Sequence, residues 1–186
     1  MITSSVVGVE AKYKPIPSVI ERNRRLLYHV RTVLEIGAGT GRLVKWFLQN
    51  TKVESYIAIE PDRKSVEVLA KIEDPRLTII PDYWEFVRDS FIDEKFDVLV
   101  LWNVLMFVDL TGVHGGDYKH AILKETKYFV NMTKKYILLS FHPVKSGLLK
   151  NVEDYREILQ EFLKCGCRIV DRKHLNYLLN SPRPRG

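Results

Sequence analysis

The chain has little cysteine, little glutamine and no long apolar run. Its two cysteines, Cys165 and Cys167, are separated by one glycine. No further Cys or His stands at metal-site spacing from them, so they read as free thiols at the start of a strand, and no metal is expected. No apolar stretch approaches the roughly 20 residues that span a bilayer, which argues against a membrane-spanning helix. Residues 1 to 10 lack the basic-then-apolar layout of a secretory signal. With so few thiols, this composition leads us to expect a cytoplasmic protein. Glutamine occurs only at Gln49 and Gln160, amid many Lys, Arg, Ile and Val, which hints at a thermophilic source.

The charge excess is modest. There are 29 basic and 23 acidic residues, for a net +6. Arg22, Arg24, Arg25 and Arg31 cluster ahead of the first expected strand. Lys12 and Lys14 alternate with Tyr13, and Arg183 and Arg185 close the sequence. Basic groups interleaved with aromatics can track a phosphate backbone, so RNA contact through the termini stays open. No RNA-binding module of recognisable pattern is present. At 186 residues, 46% of them hydrophobic, the chain suits one domain with one large core. We expect an irregular arm over residues 1–17, a single domain over 18–180 and a flexible tail over 181–186.

What is present is a run of glycines at a strand end. Residues 33–43 read Val-Leu-Glu-Ile-Gly-Ala-Gly-Thr-Gly-Arg-Leu. The first half reads as a buried strand and the second as a tight turn opening a helix. Gly37, Gly39 and Gly41 permit positive φ and close approach of backbone to a ligand. A strand, such a turn and a helix N-terminus together suit an anionic or polar small molecule. The partners of a nucleotide-like ligand follow at the right distances. Tyr56-Ile57-Ala58-Ile59 reads as a second strand ending in Glu60-Pro61-Asp62. An acid about 20 positions past the glycines can accept from both ribose hydroxyls. A third strand, residues 77–80, ends in Pro81-Asp82-Tyr83. Asp82 can accept from an exocyclic amine, and Tyr83 and Trp84 can cover the flat face of a purine.

Strands and helices alternate along the rest. A capping box at Ser18 and Glu21 is expected to start a helix running to about Val30. Strands are expected near 33–36, 56–59, 77–80, 97–101 and 136–141. Helices are expected near 42–50, 63–72, 84–90, 119–134 and 152–164. This alternation implies a parallel sheet with right-handed crossovers, its strands apolar on both faces because helices cover both. Runs at 167–170 and 175–179, joined through Asp171 to His174, suggest a closing hairpin.

The ordered set resembles the class I S-adenosylmethionine-dependent methyltransferases. Glu35 to Gly41 is similar to their first motif, acidic-x-Gly-x-Gly-x-Gly. Glu60 corresponds to the ribose-binding acid and Asp82 to the acid that meets the adenine amino group. Phe96 to Val108 resembles the fourth motif. A dehydrogenase would have two residues between its last two glycines, not one. The resemblance covers roughly residues 30 to 180. It implies a Rossmann-like α/β fold with seven strands in the order 3-2-1-4-5-7-6, the last antiparallel. It implies S-adenosyl-L-methionine as cofactor, held by Glu35, Gly37, Ala38, Gly39, Gly41, Glu60, Pro61, Asp82, Tyr83, Trp102 and Asn103. Glu35 would orient the glycine loop or the cofactor's amino group. Trp102 and Asn103 would lie near the methyl donor.

The acceptor is less legible. Enzymes methylating adenine or glutamine nitrogen carry Asn/Asp-Pro-Pro-aromatic after the fourth strand, and Leu101-Trp-Asn-Val104 does not match. His114, Tyr118 and His142 fall in or beside the loops after strands four and five, and are the expected substrate-facing groups. Residues 111–118 and the N-terminal arm are candidate lids. Three activities follow: a methyltransferase for a small molecule or protein, an RNA methyltransferase, and a cofactor-binding subunit without catalysis. A core of this size without an added substrate domain also suggests a homodimer or a partner subunit.

Overall fold

The computed structural model describes residues 15–104, 118–141 and 152–182, with side chains except at 118–120 and 152–154. In chain order the elements are α1 (Ser18–Arg22), α2 (Arg24–Leu27), β1 (Thr32–Ile36), α3 (Arg42–Asn50), β2 (Ser55–Ile59), α4 (Arg63–Leu69), β3 (Leu77–Ile80), α5 (Trp84–Val87), β4 (Phe96–Trp102), α6 (Tyr118–Asn131), β5 (Thr133–Ser140), α7 (Val152–Lys164), β6 (Arg168–Lys173) and β7 (Asn176–Asn180). The strands form one sheet in the order β3-β2-β1-β4-β5-β7-β6. β7 alone runs antiparallel, pairing with β5 on one side and β6 on the other.

Alternation within the strands builds two layers. Every residue of β4 is buried. Val98, Val100 and Trp102 face a core shared with Ile20, Leu27, Leu43, Phe47 and Leu69 of α1 to α4. Leu99 and Leu101 face the other core, with Trp84, Ile122, Phe129, Ile158 and Phe162 of α5 to α7. A strand covered on both faces has no solvent side, hence its continuous apolar run. Truncating Phe47 or Phe129, each fully buried, is expected to cost about 3–5 kcal/mol.

Two local expectations are corrected. Ser18 and Glu21 do not form a capping box: Pro17 holds the N-cap position without a side-chain bond, and the helix breaks at Asn23. Tertiary partners take Glu21 and Asn23 instead. Glu21 accepts from Trp46 Nε1 at 2.7 Å, and Asn23 Nδ2 donates to Asp171 at 2.7 Å. The hairpin link is also shorter than expected. Asp171 to Lys173 continue β6, and the chain turns at His174, whose φ is +53°. Ser181 stays attached beyond β7, donating its N–H to Lys135 O at 2.8 Å and its Oγ to Thr133 O at 2.8 Å.

The carboxyl ends of the parallel strands make one edge. Along it stand Asp82 after β3, Glu60 after β2, Gly37 after β1 and Asn103 after β4. Ser140 ends β5, and its pairing with Asn176 of β7 continues the row. Neighbouring strands lie about 4.8 Å apart, so this edge works as a ruler for a ligand lying across it.

Candidate functional site

A cavity of about 290 Å³ opens on that edge, lined by Ile36, Gly37, Ile59, Glu60, Pro61, Tyr83, Trp84, Glu85, Asn103 and Val104. The order of the sheet reverses here, because β1 leads to β2 on one side and pairs with β4 on the other. This is the place where open α/β sheets bind ligands.

The glycine loop forms the floor between them. Gly37 and Ala38 donate their N–H groups to Ile59 O at 2.8 and 3.1 Å, which ties the loop to the end of β2. Gly37 has φ +75°, and a Cβ there would stand 2.5 Å from Val104 Cγ2, so a side chain is excluded. Gly41 caps α3 and packs against Leu69 and Ile72 instead of facing a ligand. Gly39 differs from both. A Cβ built on it meets nothing within 4 Å, so this glycine leaves open space at the loop's crest.

Glu60 closes one wall. It is only 7% exposed. Its Oε2 accepts from Gly39 N–H at 2.6 Å and its Oε1 from Asp62 N–H at 2.9 Å. Each carboxylate oxygen accepts more than one hydrogen bond, so both keep capacity for a ribose diol. Asp62 in turn caps α4, accepting from Ser65 N–H at 2.8 Å.

Glu35 lies under the loop, not in the cavity wall. It is 2% exposed, and Oε2 accepts from Tyr56 O–H at 2.6 Å. Burial pushes its carboxyl up to about 8; Tyr56 and the nearby Arg42 oppose that rise, while Glu60 adds to it. Burial also raises the Tyr56 hydroxyl well above its ordinary range, and lowers Arg42. Glu35 therefore keeps its proton at neutral pH.

The structure brings Gly37, Glu60, Pro61, Tyr83 and Asn103 together around the cavity. Asp82 stands half-buried beside it, with Oδ1 accepting from Tyr83 N–H at 2.7 Å. Ala38 and Trp102 pack in the layer of α1 to α4, on the other face of the sheet. Trp84 does not cover a purine face from above. It is 2% exposed and stacks on Phe91, and its indole N–H has no hydrogen-bond partner among the described residues. His114 and His142 lie outside the described residues, as do residues 111–117 and 1–14 of the expected lids. Tyr118 opens α6, its side chain outside the described set.

Sequence reasoning passed over Tyr56, Ser140 and Asn176. Tyr56 was a visible signal, the one polar tip inside Tyr-Ile-Ala-Ile. Ser140 was another, a lone hydroxyl closing an aliphatic strand. Asn176 gave none, because its place depends on hairpin register.

An adenosine-type cofactor fits these residues. The open crest at Gly39 and the acid at Glu60 are what a polar ligand with a diol, lying across β2, β1 and β4, requires. Among the described residues no three His, Cys, Asp or Glu converge as a metal site, and no helix is long and apolar enough to cross a membrane.

Comparison with known proteins agrees. No curated protein sequence matches the chain. Among solved structures, a methyltransferase from Pyrococcus furiosus has a TM-score of 0.59 at 16% identity, covering 95% of this chain and 90% of that one. The magnesium protoporphyrin IX methyltransferase of Synechocystis, solved with bound S-adenosylmethionine, has a TM-score of 0.57 at 15% identity, covering 89% and 78%. A complex of the Haloferax volcanii Trm112 methyltransferase activator with a methyltransferase gives 0.60 at 10% identity, covering 90% and 91%. At these identities the likeness is one of fold. The family described as the methyltransferase domain matches residues 34–127, just over half of the 186. The chain belongs to that methyltransferase family.

Proposed function

We propose that the protein is an S-adenosyl-L-methionine-dependent methyltransferase that passes the methyl group to a small molecule or a protein side chain. The observation that carries this reading is Glu60, buried in the cavity wall with one oxygen anchored on the glycine loop at Gly39 and the other on the Asp62 N–H. When bound, S-adenosyl-L-methionine supplies a methyl on a positively charged sulfur, already activated for displacement. The chain's own residues hold and orient. Glu60 accepts from the ribose hydroxyls and Asp82 from the adenine amino group. Gly39 leaves room at the crest, and Asn103 faces the methyl end. Binding across three strand ends fixes the donor, and the remaining task is to aim a nucleophile and keep water out. His114, Tyr118 and His142 are the acceptor-facing groups of this proposal.

A compact acceptor is favoured over RNA by the pairing of three of the four arginines in the basic cluster. Arg22 pairs with Asp171 at 2.9 Å, Arg24 with Glu21 at 3.1 Å and Arg31 with Glu54 at 2.6 Å. These cations are neutralised within the fold. A second subunit completing the acceptor side belongs to the proposal, and the Haloferax fold neighbour, held by an activator, supports it. A cytoplasmic setting also belongs to the proposal, in keeping with the free thiols of Cys165 and Cys167. The test is transfer from methyl-labelled cofactor into the metabolite, protein and RNA fractions of the source cell. Label in metabolites or protein is expected; label confined to RNA would replace the proposal with the RNA reading.

A further inference from the structure

A row of polar side chains leaves the cavity at Asn103, and its proton count decides how it points. Ser140 Oγ lies 2.6 Å from Asn103 Oδ1 and 2.6 Å from Asn176 Oδ1. A hydroxyl has one proton, so it donates to one of these amides only. The oxygen and nitrogen of an amide exchange places by a flip, so the other amide turns its NH2 to Ser140. Ser140 is 1% exposed, so its hydroxyl is shielded from bulk solvent.

Two arrangements satisfy the row. In one, Ser140 donates to Asn103, whose NH2 then faces the cavity. In the other, Ser140 donates to Asn176 and accepts from the Asn103 NH2, and the Asn103 carbonyl faces the cavity. The Asn103 backbone has no such choice. Its N–H donates to Ser140 O at 3.1 Å, and its φ of +58° is a left-handed conformation that Asn tolerates better than most residues.

The ruler along the sheet edge selects between them. With ribose on Glu60 at β2, the sulfur end of the donor falls at β1 and β4, against Asn103. That end is cationic, so a carbonyl oxygen is favoured there and an NH2 is not. We infer that Ser140 and Asn176 are positioning residues that turn the Asn103 carbonyl oxygen toward the methyl-bearing end of the donor. The terminal hairpin thereby reaches the site: Asn176 takes the Ser140 proton, and this sets the amide two strands away. The inference rests on the donor reading of the cavity.

The test compares two probes by calorimetry. Sinefungin carries an ammonium group where the donor carries its methyl, and S-adenosylhomocysteine carries nothing there. Their affinity ratio reads the Asn103 amide and cancels general damage to the fold. In Asn176→Leu the Ser140 proton has only Asn103 to go to. The amide flips, and the preference for sinefungin falls about tenfold, the worth of one charge-assisted hydrogen bond. S-adenosylhomocysteine affinity is expected to stay within about twofold, because it lacks that group. Asn176→Asp still accepts the Ser140 proton and keeps the wild-type ratio. Ser140→Ala, which removes the link without touching the hairpin, lowers the ratio as well and carries the test if Asn176→Leu does not fold. An unchanged ratio in Asn176→Leu or Ser140→Ala overturns the inference, as does an equal fall in Asn176→Leu and Asn176→Asp. If the wild type takes up neither probe, the donor reading itself fails and the inference falls with it.

Discussion

At the amino end of the sheet, Asp97 is met by Lys135 at 3.0 Å, Lys134 at 3.5 Å and the Arg31 N–H at 2.7 Å. At the carboxyl end, Glu35 and Glu60 are similarly buried, yet their hydrogen bonds come from neutral groups: a tyrosine hydroxyl and two backbone amides. Burial pushes Asp97 up, but its amide and lysine partners together hold it below the ordinary carboxylate range. Glu35 has no comparable set and rises to about 8. A carboxylate saturated by charge is a structural anchor with nothing left to offer. Glu60, in the cavity wall and held only by two backbone amides, keeps lone pairs for a ligand, whereas Glu35 beneath the loop stays protonated. The two ends of one sheet thus separate what holds the fold from what serves the site.

The largest expected effect is on the Glu35 side. A carboxyl raised on folding contributes its stability below its ordinary value of 4.5 and loses it as pH climbs toward about 8. Wild-type stability is therefore expected to fall by up to about 4 kcal/mol between pH 5 and 8 relative to Glu35→Gln, measured by denaturant unfolding at each pH. A parallel pH dependence in the two proteins would break the contrast. Next comes Asp97→Ala, which strands two lysines and an amide. It is expected to cost about 3 kcal/mol of stability while leaving S-adenosylhomocysteine affinity within about threefold. A large loss of affinity without unfolding would move Asp97 to the functional side. Glu60→Ala should do the reverse, with affinity down about a hundredfold and stability by only about 1 kcal/mol. The smallest change is Tyr56→Phe. Losing the hydroxyl that favours the ionised Glu35 should cost about 1 kcal/mol at pH 9 and less at pH 5, by the same unfolding measurement.

Much of this was legible in the residues, for physical reasons. The glycine run, Glu60 and the alternating strands are local signals, and the seven-strand order implied by the family resemblance is the order found. What escaped depended on contacts distant in sequence. Ser18 and Glu21 match a capping box, but Trp46 takes the glutamate. Trp84 looks like a lid for a purine because it follows Asp82 and Tyr83, yet Phe91 and Phe129 draw its ring into the core. The three glycines look equivalent as letters. In the folded chain Gly37 and Gly41 lie too close to Val104, Leu69 and Ile72 to carry a side chain, while Gly39 faces open space. The Ser140–Asn176 link needed the hairpin register, which no local pattern encodes.

We propose that the cavity at the ends of β1, β2 and β4 holds the methyl donor through Glu60. Calorimetric titration of S-adenosylhomocysteine into wild type and Glu60→Ala, with NAD as the control ligand, tests it most directly. Saturable binding to wild type, a loss of about a hundredfold in the variant and no heat with NAD are expected. Equal responses to NAD and S-adenosylhomocysteine, or equal binding by wild type and variant, would contradict it.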